Sequence, residues 1–477
     1  MNVLFEIQLS SAGTIQFSLR FSRDTFFVCD SWCANWIYAQ AIRSSCDAFC
    51  TKGARKDEFQ SQQEKAVGPQ SASAAPPSNG GTWPWKSDTM TGDVFGVRTT
   101  LQDAGLTVQG TATLDFVNVL DGAPVNGFTM LSLIDINLTV DAEKLLGLRG
   151  ATFFADFQTA NQTRSPAELI PDYWGFDVIN SYSSFTELAQ YWYQQQIIGD
   201  RLQFKFGKID SNVDFAVPCT GLNFVNSAAY YPSTMVQDMP TFPRQAGGFE
   251  ILAKPFENFD ARFGFFDGTS NYANPTTGQV GSNTGTNGLS TFLWENPGSY
   301  FLIAEAGPSW KIDDHSGKFR AGWFEQTGYT DTNGVNGPGV GTGAAGAYAY
   351  ANQHFFDPDG DGNNLGLEVF GQFSWSDPTR NPSQWGMMLG SQWQGVIDSR
   401  PNDTLGFLWA YTQFSSNETL STSPGSSEAI LEGFYNVQIT PWFSVQPDIQ
   451  YISQPSSVEA SNISGAWLLT VRLSFVF

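Results

Sequence analysis

Few residues in this chain have the types and spacing to do chemistry. There are two histidines, His315 in "DDHSG" and His354 in "NQHFF". A Ser-His-acid triad needs only one of them, and its members need not be near in sequence. No nucleophile-elbow sequence of the GxSxG type occurs, however, so an enzyme is not expected. Five cysteines are present: Cys29, Cys33, Cys46 and Cys50 near the start, and Cys219 alone. Their paired x3 spacing departs from the x2 spacing of a zinc knuckle, and the histidines to complete such a site are scarce. One stretch does fit a metal loop. In "DPDGDGNNLGLE", Asp357, Asp359, Asp361, Gly362 and Glu368 have the spacing of a calcium-binding hand. That hand needs a helix on each side, and the flanks "AYAYANQHFF" and "LEVFGQFSWS" alternate as strands. An Asp/Gly-rich turn between two strands accounts for the same residues. No metal or cofactor is therefore expected.

The elements that must carry any function are β-strands. Aromatic residues make up 15% of the 477, with 40 Phe and 15 Trp, yet charged residues are only 15% and mean hydropathy is −0.21. No apolar run approaches the roughly 20 residues of a membrane helix. Two classes remain: an all-β protein in water, or a membrane β-barrel whose apolar residues are hidden by alternation. The net charge of −22 argues against nucleic acid, because phosphate neutralisation needs clustered Lys and Arg.

From Leu106 onward the sequence breaks into strand-length segments: 106–120, 129–141, 150–159, 187–197, 201–210, 247–255, 259–267 and 300–310, then 318–328, 344–356, 365–376, 384–397, 403–415, 428–440, 442–453 and 464–477. The count is even, as a closed antiparallel barrel allows. The connections sort by length. "IGD", "PFEN" and "TP" follow the fourth, sixth and fourteenth segments, whereas about 160–186, 211–246 and 268–299 follow the third, fifth and seventh. Short turns on one side and long loops on the other are how an outer-membrane barrel is built.

The faces sort as well. In "SGAWLLTVRLSFVF", Trp467, Leu469, Val471, Leu473, Phe475 and Phe477 alternate with Leu468, Thr470, Arg472, Ser474 and Val476. Leu202, Phe204 and Phe206 alternate with Arg201, Gln203 and Lys205 in the same way. A charge on the lipid face costs about 2–4 kcal/mol at the midplane, so this segregation is required of a membrane strand. Backbone groups in lipid must also be satisfied by closure. The expected fold is an all-β transmembrane antiparallel barrel of about 16 strands, with short periplasmic turns and long extracellular loops, lipid outside and a water-filled lumen inside.

Several stretches are similar to a known family. "TGDVFGVRTTLQDAGL" (91–106), "LTVDAEKLLGLRGATFFADFQ" (138–158), "LQFKFGKID" (202–210), "PRQAGG" (243–248) and "LEGFYNVQITPWFSVQPDIQYISQP" (431–455) resemble the carbohydrate-selective porin OprB family. The resemblance runs from about residue 90 to the end. It implies a sixteen-stranded barrel in the bacterial outer membrane that admits small carbohydrates by passive diffusion. Two departures stand out: Val94 follows "GD" where the family has Trp, and residues 1–50 do not resemble its cleavable leader. The chain is accordingly divided into an atypical leader or extension (1–50), a polar linker rich in Ser, Ala, Pro and Gln (51–92) and the porin domain (93–477). A general or anion-biased porin of the same shape is the alternative, with an outer-membrane hydrolase behind it. The oligomeric state stays open between homotrimer and monomer.

Sugar selection needs polar side chains to replace water at hydroxyls and aromatic faces to meet the apolar side of a pyranose. Parity points Gln190, Trp192 and Gln194 inward from the fourth segment, and Arg201, Gln203 and Lys205 from the fifth. Arg262, Glu305, Arg320, Glu432, Asp448 and Arg472 join them. Arg paired with a carboxylate offers a fixed fork of donors and acceptors suited to vicinal hydroxyls. The long connection 211–246 is the candidate constriction loop, with Phe224, Tyr230 and Tyr231 as its aromatics and Cys219 within it.

Overall fold

The structure, a computed structural model, describes residues 87–122, 126–181, 184–218, 223–268, 300–313, 315–329, 342–356, 366–417, 426–455 and 464–477, with the backbone of 4–9 and 15–20. Leu4–Leu9 and Ile15–Arg20 pair as an antiparallel hairpin in a unit of its own, Met1–Cys33. The cysteines and Asp357, Asp359, Asp361 and Gly362 lie outside the described residues.

Sixteen strands form the main body: β1 (Leu106–Asp121), β2 (Gly127–Asp141), β3 (Ala151–Gln162), β4 (Phe185–Gln196), β5 (Leu202–Ile209), β6 (Ala246–Phe256), β7 (Phe259–Asp267) and β8 (Tyr300–Ile312), followed by β9 (His315–Tyr329), β10 (Thr342–Phe356), β11 (Gly366–Ser376), β12 (Ser383–Gln394), β13 (Thr404–Phe414), β14 (Ser427–Thr440), β15 (Phe443–Ser453) and β16 (Gly465–Val476). Each pairs antiparallel with its neighbours in sequence, and β16 pairs with β1. The sheet is a closed barrel, so no strand edge is left to hydrocarbon. The segments read from alternation match these strands to within a few residues at each end. Beyond β16, the Phe477 N–H donates to the Gly110 carbonyl at 2.7 Å and the Gly110 N–H donates back at 2.9 Å. The Phe477 ring lies where a side chain on residue 110 would point, so glycine is needed at this seam.

Alternation decides the faces. Leu468 is 0% exposed while Leu469 is 40% and Trp467 45% exposed. Phe153, Phe206, Phe373, Phe407 and Ile449 are likewise exposed on the outside. Among the described residues no helix is long and apolar enough to cross a membrane, which says nothing of a β-barrel. Of the charged residues named inward by parity from β6 onward, Glu305, Arg320, Glu432, Asp448 and Arg472 are buried inside the barrel and Arg262 is half-buried.

Two features differ from the sequence reading. The inner wall is not polar throughout: Val117, Val119, Leu408, Ile430, Ile452 and Leu468 face inward and belong to a buried apolar cluster. Loop side chains supply the other half of that cluster, among them Trp174, Phe176, Phe224 and Tyr230. Inward apolar residues on a barrel strand are stable here because a loop, rather than water, covers them. Second, residues just before the division at 92–93 contact the barrel. The Met90 N–H donates to the Val476 carbonyl at 2.8 Å, and Arg98 reaches back to the Val108 carbonyl at 3.0 Å. The segment "GDVFG" makes this approach with positive φ at Gly92, Val94, Phe95 and Gly96. For a β-branched residue such as Val94 that conformation is a genuine outlier.

Candidate functional site

The β5–β6 loop folds inward and is built from short capped turns. Ser211–Val213, Ser227–Ala229 and Ser233–Met235 are single 3-10 turns. The Asp210 carboxylate accepts from the Asn212 N–H at 3.0 Å and from the Phe242 N–H at 3.1 Å, tying the two ends of the loop together. Asn226 caps the second turn by accepting from the Ala228 N–H at 2.9 Å. Short polar side chains suit these positions because they satisfy backbone donors locally.

Buried loop backbone needs partners, and the barrel wall provides them. The Val225 N–H donates to Glu432 at 2.5 Å, and the Asn226 N–H bridges both Glu432 oxygens at 3.2 and 3.3 Å. The Asn226 amide donates to Gln450 at 3.0 Å, and Gln372 donates to the Ala216 carbonyl at 2.7 Å. The Ala216 N–H in turn donates to Glu305 at 2.9 Å. The loop therefore spans the lumen from β5 to β14. The β3–β4 loop lies beside it: the Val178 N–H donates to the Val225 carbonyl at 2.8 Å, and Gln450 donates to the Phe176 carbonyl at 3.0 Å.

Of the three aromatics read as constriction residues, two have a different place. Phe224 and Tyr230 are both fully buried. Phe224 packs edge-on to Phe434 with ring centroids 4.9 Å apart, and Tyr230 donates its hydroxyl to the Phe224 carbonyl at 3.0 Å. They hold the loop to the wall and offer no face to a passing molecule. Tyr231 is partly exposed and touches both apolar clusters inside the barrel.

The inward charges form two groups on opposite sides of the loop. On the β5–β10 wall, Lys205 pairs with Asp214 of the loop and with Glu250 at 3.0 Å. Arg262 lies 3.3 Å from Asp260 and 3.9 Å from Glu305, and donates to the Asp214 carbonyl. Arg320 pairs with Asp260, and the Tyr348 and Tyr350 hydroxyls each donate to Glu305 at 2.9 Å. Trp192 lies in the same region, with the Lys205 ammonium 5.1 Å from its ring centroid. Gln203 lines a cavity with Lys205, Asp214, Glu250 and Arg262, while Gln194 is half-buried lower on β4. Gln190 is buried, donating to Asp156 at 3.3 Å and accepting from the Asp210 N–H at 3.1 Å. On the β14–β1 side, Arg472 binds Asp115 and lies 3.5 Å from Asp177, while Asp448 accepts from Gln450 at 3.2 Å.

Arg201 stands apart from both groups. It is exposed in the β4–β5 turn, just outside β5, and the parity argument placed it one residue too far along the strand. Glu368 sits inside β11 and accepts from the Asn352 amide. Among the described residues no group of three His, Cys, Asp or Glu is arranged to hold a metal ion.

Within the loops, burial governs the carboxyls. Asp210 and Asp238 are both pushed up to about 7 by burial. Asp214 is also buried, yet Lys205 and Arg262 beside it outweigh that burial and hold its carboxyl below the usual range.

The partners of the inward charged residues were missed from sequence: Asp115, Asp177, Asp214, Glu250 and Asp260 beside the arginines and the lysine, and Tyr348 and Tyr350 beside Glu305. Strand parity carries a signal for Asp115, Glu250, Asp260 and the tyrosines, which lie on the same faces. Asp177 and Asp214 lie in loops, where no period points anywhere.

Comparison with known proteins places this geometry. The chain is similar to Porin B of Pseudomonas aeruginosa, 22% identical over 434 residues that cover 81% of this chain and 91% of the relative. A high-pH structure of Pseudomonas putida OprB superposes with a TM-score of 0.69 at 22% identity, covering 82% of this chain and 99% of that one. The low-pH structure gives 0.54 at 19% identity, covering 83% and 100%. Those two likenesses speak for the fold. The family described as "Carbohydrate-selective porin, OprB family" matches residues 125–477, and with the closed barrel it makes this chain a member of that family: an outer-membrane porin through which small carbohydrates diffuse, and a channel rather than an enzyme.

Proposed function

We propose that small, mainly neutral carbohydrates pass between the inward-folded β5–β6 loop and the β5–β10 wall, guided by the charged and aromatic groups there. The reading rests on one observation. Lys205, Arg262, Arg320, Asp214, Glu250, Asp260 and Glu305 are cross-paired in fixed positions, with Trp192 beside them. Paired charges present donors and acceptors without a large net field, which suits a neutral polyol better than a free ion. An indole face covers the apolar side of a pyranose. Gln194 and Gln203 extend the polar track toward the short-turn side. Arg472, Glu432 and Asp448 are assigned instead to holding the two inner loops. The exposed apolar belt is read as the lipid contact.

Single-channel recording tests this. Millimolar sugar is expected to interrupt the ionic current of the purified protein, and liposome swelling is expected to be faster with monosaccharides than with amides of equal size. An ionic current untouched by sugars, with strong preference for anions, would establish the general porin instead.

A further inference from the structure

The chain has only two histidines, and the barrel brings them together. His315 opens β9 and His354 lies near the end of β10, one step beyond the Gly317–Gln353 pair in the ladder. Their ring centroids are 5.2 Å apart, with planes at 77°. His354 is nearly buried and His315 half-buried, so the pair is fixed but reachable. Neither belongs to the sugar track or to the groups that hold the loops.

We infer that His315 and His354 form a binding site for a divalent transition-metal ion of the zinc or copper type, at the short-turn rim of the barrel. Two imidazoles on one tetrahedral ion, with metal–nitrogen bonds of about 2.0–2.1 Å, place their ring centroids roughly 5 Å apart. The observed separation of 5.2 Å matches that spacing. Glu368 stands opposite His354 in the β10–β11 ladder. A carboxylate next to a metal-binding imidazole is the usual device for fixing its tautomer, leaving the other nitrogen for the ion. The sequence around the pair is acidic, which favours a cation: Asp313 and Asp314 directly precede His315, and Asp357, Asp359 and Asp361 follow His354 along the chain. With two protein ligands, water completes the coordination sphere. The ion would therefore exchange readily, as suits a rim site that senses or modulates and does not hold the fold together.

The test uses the full-length protein folded in detergent. Calorimetric titration with zinc is expected to show one ion per chain, and His315→Gln and His354→Gln are each expected to weaken it at least tenfold while sugar-driven liposome swelling stays unchanged. No zinc uptake by the unaltered protein overturns the proposal. So does equal uptake by the double variant, which would put the ion on the acidic turns. The copper-loaded unaltered protein supplies a second measurement that needs no variant to fold. Its electron paramagnetic resonance is expected to show coupling to two imidazole nitrogens, and coupling to one or none rejects the pair as the site.

Discussion

Arg472 of β16 grips Asp115 of β1 across the seam that closes the barrel. Three contacts of 2.7, 2.9 and 3.1 Å join the guanidinium to both carboxylate oxygens, and both side chains are buried. The same guanidinium lies 3.5 Å from Asp177 of the β3–β4 loop and 3.5 Å from the Phe224 carbonyl of the β5–β6 loop. One side chain thus joins the first strand, the last strand and both inner loops. The planar fork of Arg allows this; a Lys ammonium would meet fewer of these acceptors in fixed geometry.

Arg472→Gln should cost about 3–5 kcal/mol, because it leaves Asp115 and Asp177 buried without a cation. The temperature at which the folded band gives way to the unfolded one in semi-native electrophoresis reports this. Arg472→Lys should fall between the two, since it restores charge without the fork. A variant as heat-resistant as the unaltered protein would show that the seam is held by its backbone ladder alone.

How far the sequence goes is visible in these residues. Arg472 sits at an inward position by simple alternation, as does Asp115, and the strands carrying them were legible because a bilayer enforces a period of two. Their pairing was not legible, because register across the seam depends on closure of the whole sheet. The loops were less legible still. Phe224 and Tyr230 look like pore aromatics in sequence, since a loop has no period to say which side a ring takes. Only their packing against Phe434 and the inner wall shows that they anchor the loop. Val117, Val119 and Leu468 are apolar residues on the inward face, and they mark where the loops dock.

Glu432→Gln should loosen the inner loop while leaving the barrel closed. Its carboxylate accepts from the Val225 and Asn226 N–H groups, and a hydrogen bond to a charged group is worth about 1.5–3 kcal/mol. Single-channel conductance should rise and sugar block should weaken, with electrophoretic heat resistance nearly unchanged. Unaltered conductance would mean that the apolar anchors hold the loop by themselves.

Raising the pH should loosen the same loop. The Asp238 carboxyl is held up near 7 by burial, against an unfolded value of about 3.9. An acid whose folded value is raised favours the folded loop while both states are protonated, and that contribution is lost as pH climbs from about 4 through 7. Asp210, also near 7 through burial, acts in the same direction. Hydrogen exchange of loop amides should therefore be slower at pH 5 than at pH 8, after correction for the intrinsic rate. Asp238→Asn should flatten this dependence, and a slope left untouched by that change would remove Asp238 as its source.

Lys205 and Arg201 separate a fixed interior charge from a rim charge. Lys205 stands between Asp214 and Glu250, all three enclosed, whereas Arg201 is exposed in the β4–β5 turn. Lys205→Met leaves two buried carboxylates facing each other without their cation. The passage should then turn toward cations, seen as a shift of reversal potential in a salt gradient, and sugar block should weaken several-fold. Arg201→Ala should change neither by more than a small amount, because an exposed charge is screened within about 10 Å at 0.1 M salt. If Arg201→Ala weakened sugar block as much as Lys205→Met, the narrow part of the passage would have to lie at the short-turn mouth, away from the inner loop.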